Sequence, residues 1–477
     1  MPNPTTNQQP SESLSAWTPQ PHGRVRIQAG LRLLLAALSL AGMTGITNAA
    51  EPVTLSEPPG DERAFRVVSQ AEIKGELRAA ADEKQAVGLK LQVNASLRFS
   101  TRRLPPAGRD SEAYREARFF EQAVARILVN DQSTESHLRD TRRLIVADGT
   151  PSGVRCYSPA GALHPAEVDL INTPGDHLPC LGLLPGNAVK VGDTWKPDSW
   201  VIQTLTGTEA VLKSQLECRL ATVADGQARI EFHGEMDGAT LGAATKLTVK
   251  GTMYFNMAEN YISRIETQQE EERVVGAVSP GMKVSAKVTV ERTPSATPRQ
   301  LAGGVIEAIP LTPSAADLNQ TMETPWGFQL AFGRDWHLYH QTERVAVLRM
   351  LDRGNLIAQC NVSPIPAAEA GESIPLPQFE KDIRSALGER LQSIESSDRI
   401  RLPDGSIMLR VIAAGRVNEA DMYWRYYLKA APDGRQVSFL FAVEKSVLDL
   451  LGEDDRRLVD NVAFPPIRPA SRSATGR

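Results

Sequence analysis

Residues 89–99 alternate without interruption: Leu89, Leu91, Val93, Ala95, Leu97 and Phe99 fall on one side, Lys90, Gln92, Asn94, Ser96 and Arg98 on the other. A period of two over that length predicts a β-strand with one dry and one wet face. The same alternation returns in 211–223, 228–233, 247–255, 261–275 and 282–290, with Ala224-Asp-Gly226 and Ala258-Glu-Asn260 as turns between runs. Residues 144–146 predict a further short strand. Segment 111–129 predicts a helical or irregular start running into a strand through Ala123, Ala125, Ile127 and Val129. Between these runs lies Leu183-Leu-Pro-Gly-Asn-Ala-Val-Lys-Val-Gly-Asp-Thr-Trp195. It reads as a Pro-Gly turn, a short apolar strand (Ala188, Val189, Val191), a Gly-Asp turn, and Trp195 as the aromatic plug of a core. The charge on the polar faces, including Glu270-Glu-Glu-Arg273, reads as solvated strand surface that protects edges, with an acidic binding groove as the alternative.

Further along, the pattern mixes periods. Phe328, Leu330 and Phe332 predict a strand, and 345–350 with 356–362 predict a hairpin about Asp352-Arg-Gly-Asn355. Phe379, Ile383, Leu387 and Leu391 recur every four residues, so 377–391 reads as an amphipathic helix. Strands at 407–417, 422–430 and 436–443 and a short helix at 454–462 complete the series. The fold class expected is α+β: a β-rich antiparallel domain at 63–291, then an α/β/α sandwich domain on an antiparallel sheet at 322–466. The Pro-containing stretches 51–62 and 292–321 read as linkers, and 467–477 as a polar tail. Trp326, Trp336 and Trp424 are expected to build the second core, as Trp195 does the first.

The N-terminus speaks to destination. Residues 1–20 have a disordered composition. Arg24, Arg26 and Arg32 precede an apolar run, Leu33 to Ala41, and small residues end in Thr47-Asn48-Ala49-Ala50. That order is a secretory signal peptide cleaved after Ala49 or Ala50, so 1–50 is expected to be removed on export to the periplasm or cell envelope. The alternative, a membrane anchor, needs about 20 apolar residues, and the run is shorter. No stable membrane insertion is expected once the signal is gone. A net charge of −4 with no basic stripe argues against nucleic acid, and a mean hydropathy of −0.27 against a polytopic membrane protein.

Candidate chemistry is sparse. An exported chain can oxidise its cysteines, and of Cys156, Cys180, Cys218 and Cys360 the pair Cys156–Cys180, in loop-like segments, is the disulfide candidate. Cys218 and Cys360 fall on dry strand faces and read as buried thiols. His337 and His340 are a close histidine pair read as surface or packing, with a metal site as the alternative. His164 and His177 flank Glu167-Val-Asp169 near the two loop cysteines. This could be a hydrolytic or metal cluster, but the prolines and Gly175 around it make a loop simpler. Tyr423-Trp-Arg-Tyr-Tyr427 is either an aromatic recognition platform or core. No nucleophile elbow, zinc-protease motif, phosphate loop or dinucleotide fingerprint appears, and no cofactor is expected.

Two resemblances rest on these residues. The meander together with Leu183-Leu-Pro-Gly and Val191-Gly-Asp-Thr-Trp195 resembles exported bacterial domains of unknown function with a LolA-like curved antiparallel sheet. In the lipoprotein carriers of that fold the concave face binds acyl chains. Pro325-Trp-Gly-Phe328, Asp335-Trp336, Trp424-Arg-Tyr-Tyr-Leu428 and Gly434-Arg-Gln-Val-Ser-Phe439 resemble PsbP-like (Mog/PsbP) domains, which bind partner proteins and are not generally catalytic. The two together imply an exported, non-catalytic protein acting through contacts with an envelope protein, or alternatively a carrier of a hydrophobic ligand on the first sheet.

Overall fold

The computed structural model describes residues 51–466 apart from 59, 83–84, 106–113, 151–152, 173 and 311. The expected signal segment and the polar tail lie outside the described residues. Strand dominates, and nearly all of it is antiparallel.

Thirteen strands form one sheet: β1 (Ala64–Asp82), β2 (Gln85–Leu104), β3 (Tyr114–Val129), β4 (Gln132–His137), β5 (Leu144–Thr150), β6 (Gly153–Tyr157), β7 (Thr194–Trp195), β8 (Ala210–Ser214), β9 (Glu217–Ala224), β10 (Gln227–Thr240), β11 (Ala243–Asn256), β12 (Tyr261–Arg273) and β13 (Gly281–Ser295). Their order is β6-β5-β3-β2-β1-β13-β12-β11-β10-β9-β7, with β4 on the lower half of β3 and β8 on the lower half of β10. The first strand therefore sits in the middle, between β2 and the last strand β13. Its own alternation explains this place: Phe65, Val67, Ser69 and Ala71 are buried, while Arg66, Gln70 and Lys74 face solvent. Segment 114–129 is strand from its first described residue, so the expected helical start is replaced there. The glutamates of β12 are partnered: outward Glu270 with the Ser285 hydroxyl at 2.7 Å and outward Glu272 with Arg78 at 3.5 Å, while Glu271, on the other face and mostly covered, pairs with Arg273 at 2.5 Å.

Three short helices cover one end of the dry face: α1 (Pro165–Ile171), α2 (His177–Cys180) and α3 (Ser199–Thr206). Pro165 opens α1 at the position where a missing N–H costs nothing. Gly207, at φ 71°, closes α3 in the left-handed conformation. Leu178, Leu183, Val201 and Leu205 then pack with Phe99, Phe120, Cys218 and Phe232 into the main core. Residues 164–179 are thus two helices and a turn rather than an extended loop. The short strand expected at 188–191 reduces to one bridge, Val189 to Val53, and Val191 is exposed.

Neither stretch read as a linker is free. In 51–62, Val53 pairs with Val189, Leu55 is fully buried and Glu57 is buried against Arg292. In 292–321, β13 runs on to Ser295, and two short helices, α4 (Gly303–Glu307) and α5 (Ala315–Leu318), follow. Leu301 and Ile309 there pack onto Leu104, Ala117, Val146 and Tyr157 of β2, β3, β5 and β6, in a cluster separate from the main core. Proline marked these segments as irregular, but irregular backbone packs wherever its apolar side chains find a face.

A seven-stranded sheet follows, with β16 (Trp336–Gln341), β17 (Ala346–Asp352), β18 (Asn355–Ile365), β19 (Leu391–Arg401), β20 (Ile407–Val417), β21 (Ala420–Ala430) and β22 (Gln436–Glu444) in the order β16-β17-β18-β22-β21-β20-β19. A small sheet of β14 (Gln320–Glu323), β15 (Gln329–Phe332) and β23 (Val462–Ala463) adjoins it. Helix α6 (Leu376–Leu387) lays Phe379, Ile383 and Leu387 on Leu409, Val411, Trp424 and Leu428. The opposite face holds Trp336, Tyr427, Phe439 and Phe441, covered by α7 (Leu448–Leu451) and α8 (Asp454–Asp460). Both sides of Tyr423–Tyr427 are therefore packed: Trp424 is 5% exposed and Tyr427 1%, its hydroxyl donating to buried Asp455 at 2.7 Å. This segment is core and not a platform. Trp326 is only half-buried, its Nε1 donating to the Glu343 carbonyl.

The parts of the chain before and after residue 320 touch directly. The Thr321 amide donates to the Leu163 carbonyl at 2.8 Å, and Arg334 Nη2 to the Cys156 carbonyl at 3.0 Å. The hairpin tips at Gly242 and Gly354 approach so closely that a Cβ on Gly242 would lie 2.1 Å from the Gly354 carbonyl oxygen.

Candidate functional site

Register decides the shape of the sheet beneath α1. Ala71 stands opposite both Ala95 and Val288, and Ala95 opposite Ala125. One step along, Ile73 pairs with Val93 and with Ala286, and Val93 with Ile127. The dry face of four adjacent strands thus carries one row Val-Ala-Ala-Ala and a second row Ala-Ile-Val-Ile. Three successive alanines leave the floor low, because cross-strand neighbours only 4.5–5.5 Å apart cannot fill the space from the side. α1 bridges over it with Ala166 and Leu170, leaving a cavity of about 200 Å³ whose polar lining is confined to Ser136, Asp169 and Asn172. Beyond the helix the same face continues half-covered through Leu77, Leu91 and Val129. The site is an apolar groove with a polar lip.

Two buried ionic clusters hold the cover in place. At the start of α1, Glu167 is 3% exposed and accepts from Arg139 Nε at 2.7 Å, Arg139 Nη2 at 2.6 Å and the His164 amide at 2.7 Å. Burial alone would raise its pKa, but the Arg139 hydrogen bonds and backbone donors outweigh burial and hold it below the usual carboxylate range. Under α2, Arg118 donates from Nε to Glu116 at 2.6 Å and from Nη1 and Nη2 to Asp176 at 2.6 and 2.8 Å. His177, 1% exposed, lies 3.0 Å from Glu116. Burial opposes ionisation of Glu116, yet neighbouring His177 and Arg118 keep its carboxyl well below the ordinary value. Asp176 is held low in the same sense, and its Oδ1 also caps the Leu178 amide at 2.9 Å.

The residues singled out from the sequence separate here. His164 with Glu167, and His177 with Glu116, belong to different clusters, and each of these two carboxylates is taken by an arginine. Among the described residues, no group of three or more His, Cys, Asp or Glu is placed to hold a metal ion. His337 lies within β16, half-buried, and burial lowers its basicity. The expected Cys156–Cys180 bridge is not formed: all four cysteines are free and buried. Cys156 is held in β6 opposite Ala147, while Cys180 ends α2 and donates to the Asp176 carbonyl at 3.1 Å. Burial pushes the Cys156 thiol up to about 12 and raises Cys180 in the same direction, so neither is a ready thiolate. Intact mass with and without reductant is therefore expected to be identical, and a loss of 2 hydrogens' mass before reduction would contradict the four free thiols. Trp336 and Trp424 are buried, while Trp195 and Trp326 are half-buried at the core margins. In the sequence the groove alanines show only as single small residues among larger apolar ones on each dry strand face, and Arg118 carries no signal at all.

No family model matches the chain, and no curated protein does. Solved structures are similar only distantly. A structure of lipid–protein interactions in lipovitellin aligns over 50% of this chain with 9% identity and a TM-score of 0.29, and the chain spans 26% of lipovitellin's length. Cyanobacterial PsbP (CyanoP) from Synechocystis sp. PCC 6803 aligns over 31% of this chain and 92% of its own, with 14% identity and a TM-score of 0.24. The protein of unknown function PA94 from Pseudomonas aeruginosa aligns over 32% and 98%, with 11% identity and a TM-score of 0.22. No helix among the described residues is long and apolar enough to cross a membrane.

Proposed function

We propose that this protein is an exported, non-catalytic envelope protein that holds the alkyl part of a lipid-like ligand in the groove beneath α1. The carrying observation is the Val288-Ala71-Ala95-Ala125 row, which leaves an apolar space under a helix anchored at its start. At about 200 Å³ the groove is smaller than the ~300–1,000 Å³ of sites that enclose whole drug-sized ligands, so it suits a chain end and not a complete lipid. Each methylene buried contributes about 0.8 kcal/mol, and five or six give a weak but selective hold. Ser136, Asp169 and Asn172 at the lip leave a polar headgroup in water. Export is supported by the charged, apolar, small-residue order of residues 24–50.

Native mass spectrometry of the protein purified from its own envelope fraction tests both parts. The chain is expected to begin at Ala50 or Glu51 and to carry a lipid-mass adduct. In Ala95→Phe, which fills the groove, the adduct should fall at least tenfold while the melting temperature changes by only a few degrees. An intact N-terminus would refute export. A wild-type protein free of lipid, which also fails to take up a fluorescent fatty acid, would refute the carrier reading.

A further inference from the structure

We infer that the stretch Leu183–Trp195, together with the helix after it, forms a second binding site, and that its ligand is a neutral saccharide. The chain leaves the core at Leu183, arcs through Pro185 and Asn187, touches Val53 at Val189, and rejoins the sheet where Trp195 pairs with Cys218. The inner side of that arc, closed by Trp200 from α3 and Tyr114 from β3, bounds a cleft of about 530 Å³. This lies in the range of small-molecule sites and is distinct in lining from the groove beneath α1.

Two indoles and a phenol line one cleft, and each is fixed. Trp195 is held by its Nε1 donating to the Leu183 carbonyl at 2.9 Å. Trp200 packs over Gly182, where an added Cβ would lie 3.2 Å from the indole and 2.4 Å from Val201. Its ring stands 6.5 Å from that of Tyr114. Both tryptophans pack one side on the main core and remain half-exposed. Exposed Asn187, Lys196 and Asp198 add an amide, a cation and an anion to a lining that also holds the Ser56 and Thr194 hydroxyls and the Arg292-paired Glu57.

The chemistry discriminates among ligands that use aromatic rings. A proline-rich peptide docks in aromatic grooves, but its carbonyls need donors, and neither indole N–H is available. One is spent on Leu183, and Trp200 Nε1 is buried. A nucleotide would stack but wants a basic track, and the one cation lining the cleft, Lys196, is balanced by Asp198. An alkyl chain would leave Asn187, Lys196 and Asp198 desolvated without partners. A sugar ring has an apolar C–H face for the rings and hydroxyls that both donate and accept, matching an amide beside a carboxylate.

The test uses the full mature chain, titrated with cellohexaose, chitohexaose and maltohexaose while tryptophan emission and calorimetric heat are followed. At least one should bind saturably with a Kd below about 1 mM. Asn187→Ala and Asp198→Ala, both at exposed positions, should each weaken it about fivefold with unchanged melting temperature, the size of one hydrogen bond. Trp195→Phe should retain measurable binding and Trp195→Ala should lose it. Absence of saturable binding of all three sugars to about 10 mM would overturn the inference. So would tighter binding of decaproline or AMP, or unchanged affinity in both rim variants. Lipid occupancy of the groove is read separately, so failure here leaves the carrier reading standing.

Discussion

Glu57→Ala is expected to lower the unfolding free energy by about 3–5 kcal/mol, the range for removing one partner of a buried ion pair. The Glu57 side chain is 1% exposed and accepts from Arg292 Nη1 and Nη2 at 2.8 Å each, the Ile262 amide at 3.1 Å and Arg103 Nη2 at 3.2 Å. Arg292 is itself buried, stacks 4.5 Å over Phe65, and would be left charged in an apolar surround. The loss would also release the strap through Val53 and Leu55 from the sheet. A pH dependence follows from the same site. Burial raises the pKa of Glu57, but the charge and hydrogen bond of Arg292, with Arg103 and the Ile262 amide, prevail and hold it at about 2 against 4.5 unfolded. A depressed carboxylate contributes stability that is full above the unfolded value and lost as pH falls from 4.5 through about 2. Integrated, this is about 3 kcal/mol, at about 1.4 kcal/mol per unit. Urea unfolding of wild type and Glu57→Gln at pH 7 and pH 3 checks it: the gap between them should narrow at pH 3. Equal stabilities at pH 7 would show that the strap is not held by this carboxylate.

Arg118→Met is expected to cost a similar 3–5 kcal/mol and to unseat α2. It would strand Glu116 and Asp176, which share Arg118 at 2.6–2.8 Å, beside His177 in a site from which water is excluded. The double variant Arg118→Met/Glu116→Leu should recover part of the loss, since removing both charges is far cheaper than removing one. A second readout separates this from general destabilisation. Cys180 is fully buried at the end of α2, so its thiol should be inert to a labelling reagent in wild type and react at least tenfold faster in Arg118→Met under native conditions. Unchanged labelling in a destabilised variant would mean that the cluster supports β3 and not α2.

Much of the strand content was legible because alternation survives in local sequence. The runs that became β2 and β9 to β13 keep one wet and one dry face, those that became β17, β18 and β20 to β22 keep apolar residues at every second position, and α6 shows its four-residue recurrence. β19 escaped notice for a physical reason. It is an edge strand with irregularities between Leu391 and Ser393 and between Ile394 and Ser396, which break the period, and an edge strand needs little apolar surface. The helices of 165–180 escaped because four to seven residues cannot display a period against prolines and glycines.

The candidate sites were less legible. Ala71, Ala95, Ala125 and Val288 come from four strands, and nothing in any one strand says that its small residue lies beside the next. Trp200 has no distinguishing pattern in the sequence, yet it and Trp195, five residues apart, line one cleft. His177 lay among weak motif fragments until β3 supplied Glu116 and Arg118.

By itself the sequence determined the local terms: which segments are strands with a wet and a dry face, where α6 lies, and an N-terminal order that reads as an export signal. Tertiary structure alone decided that β1 lies between β2 and β13, that the segment after residue 50 is pinned to the sheet by buried Leu55 and Glu57, that Cys156 and Cys180 are both free, and that Leu183–Trp195 is the wall of a cleft. The division follows from range. Alternation and capping act over a few bonds, whereas strand register, ion pairing of Glu57 with Arg292 across 235 residues, and the shape of a cavity depend on which distant faces meet.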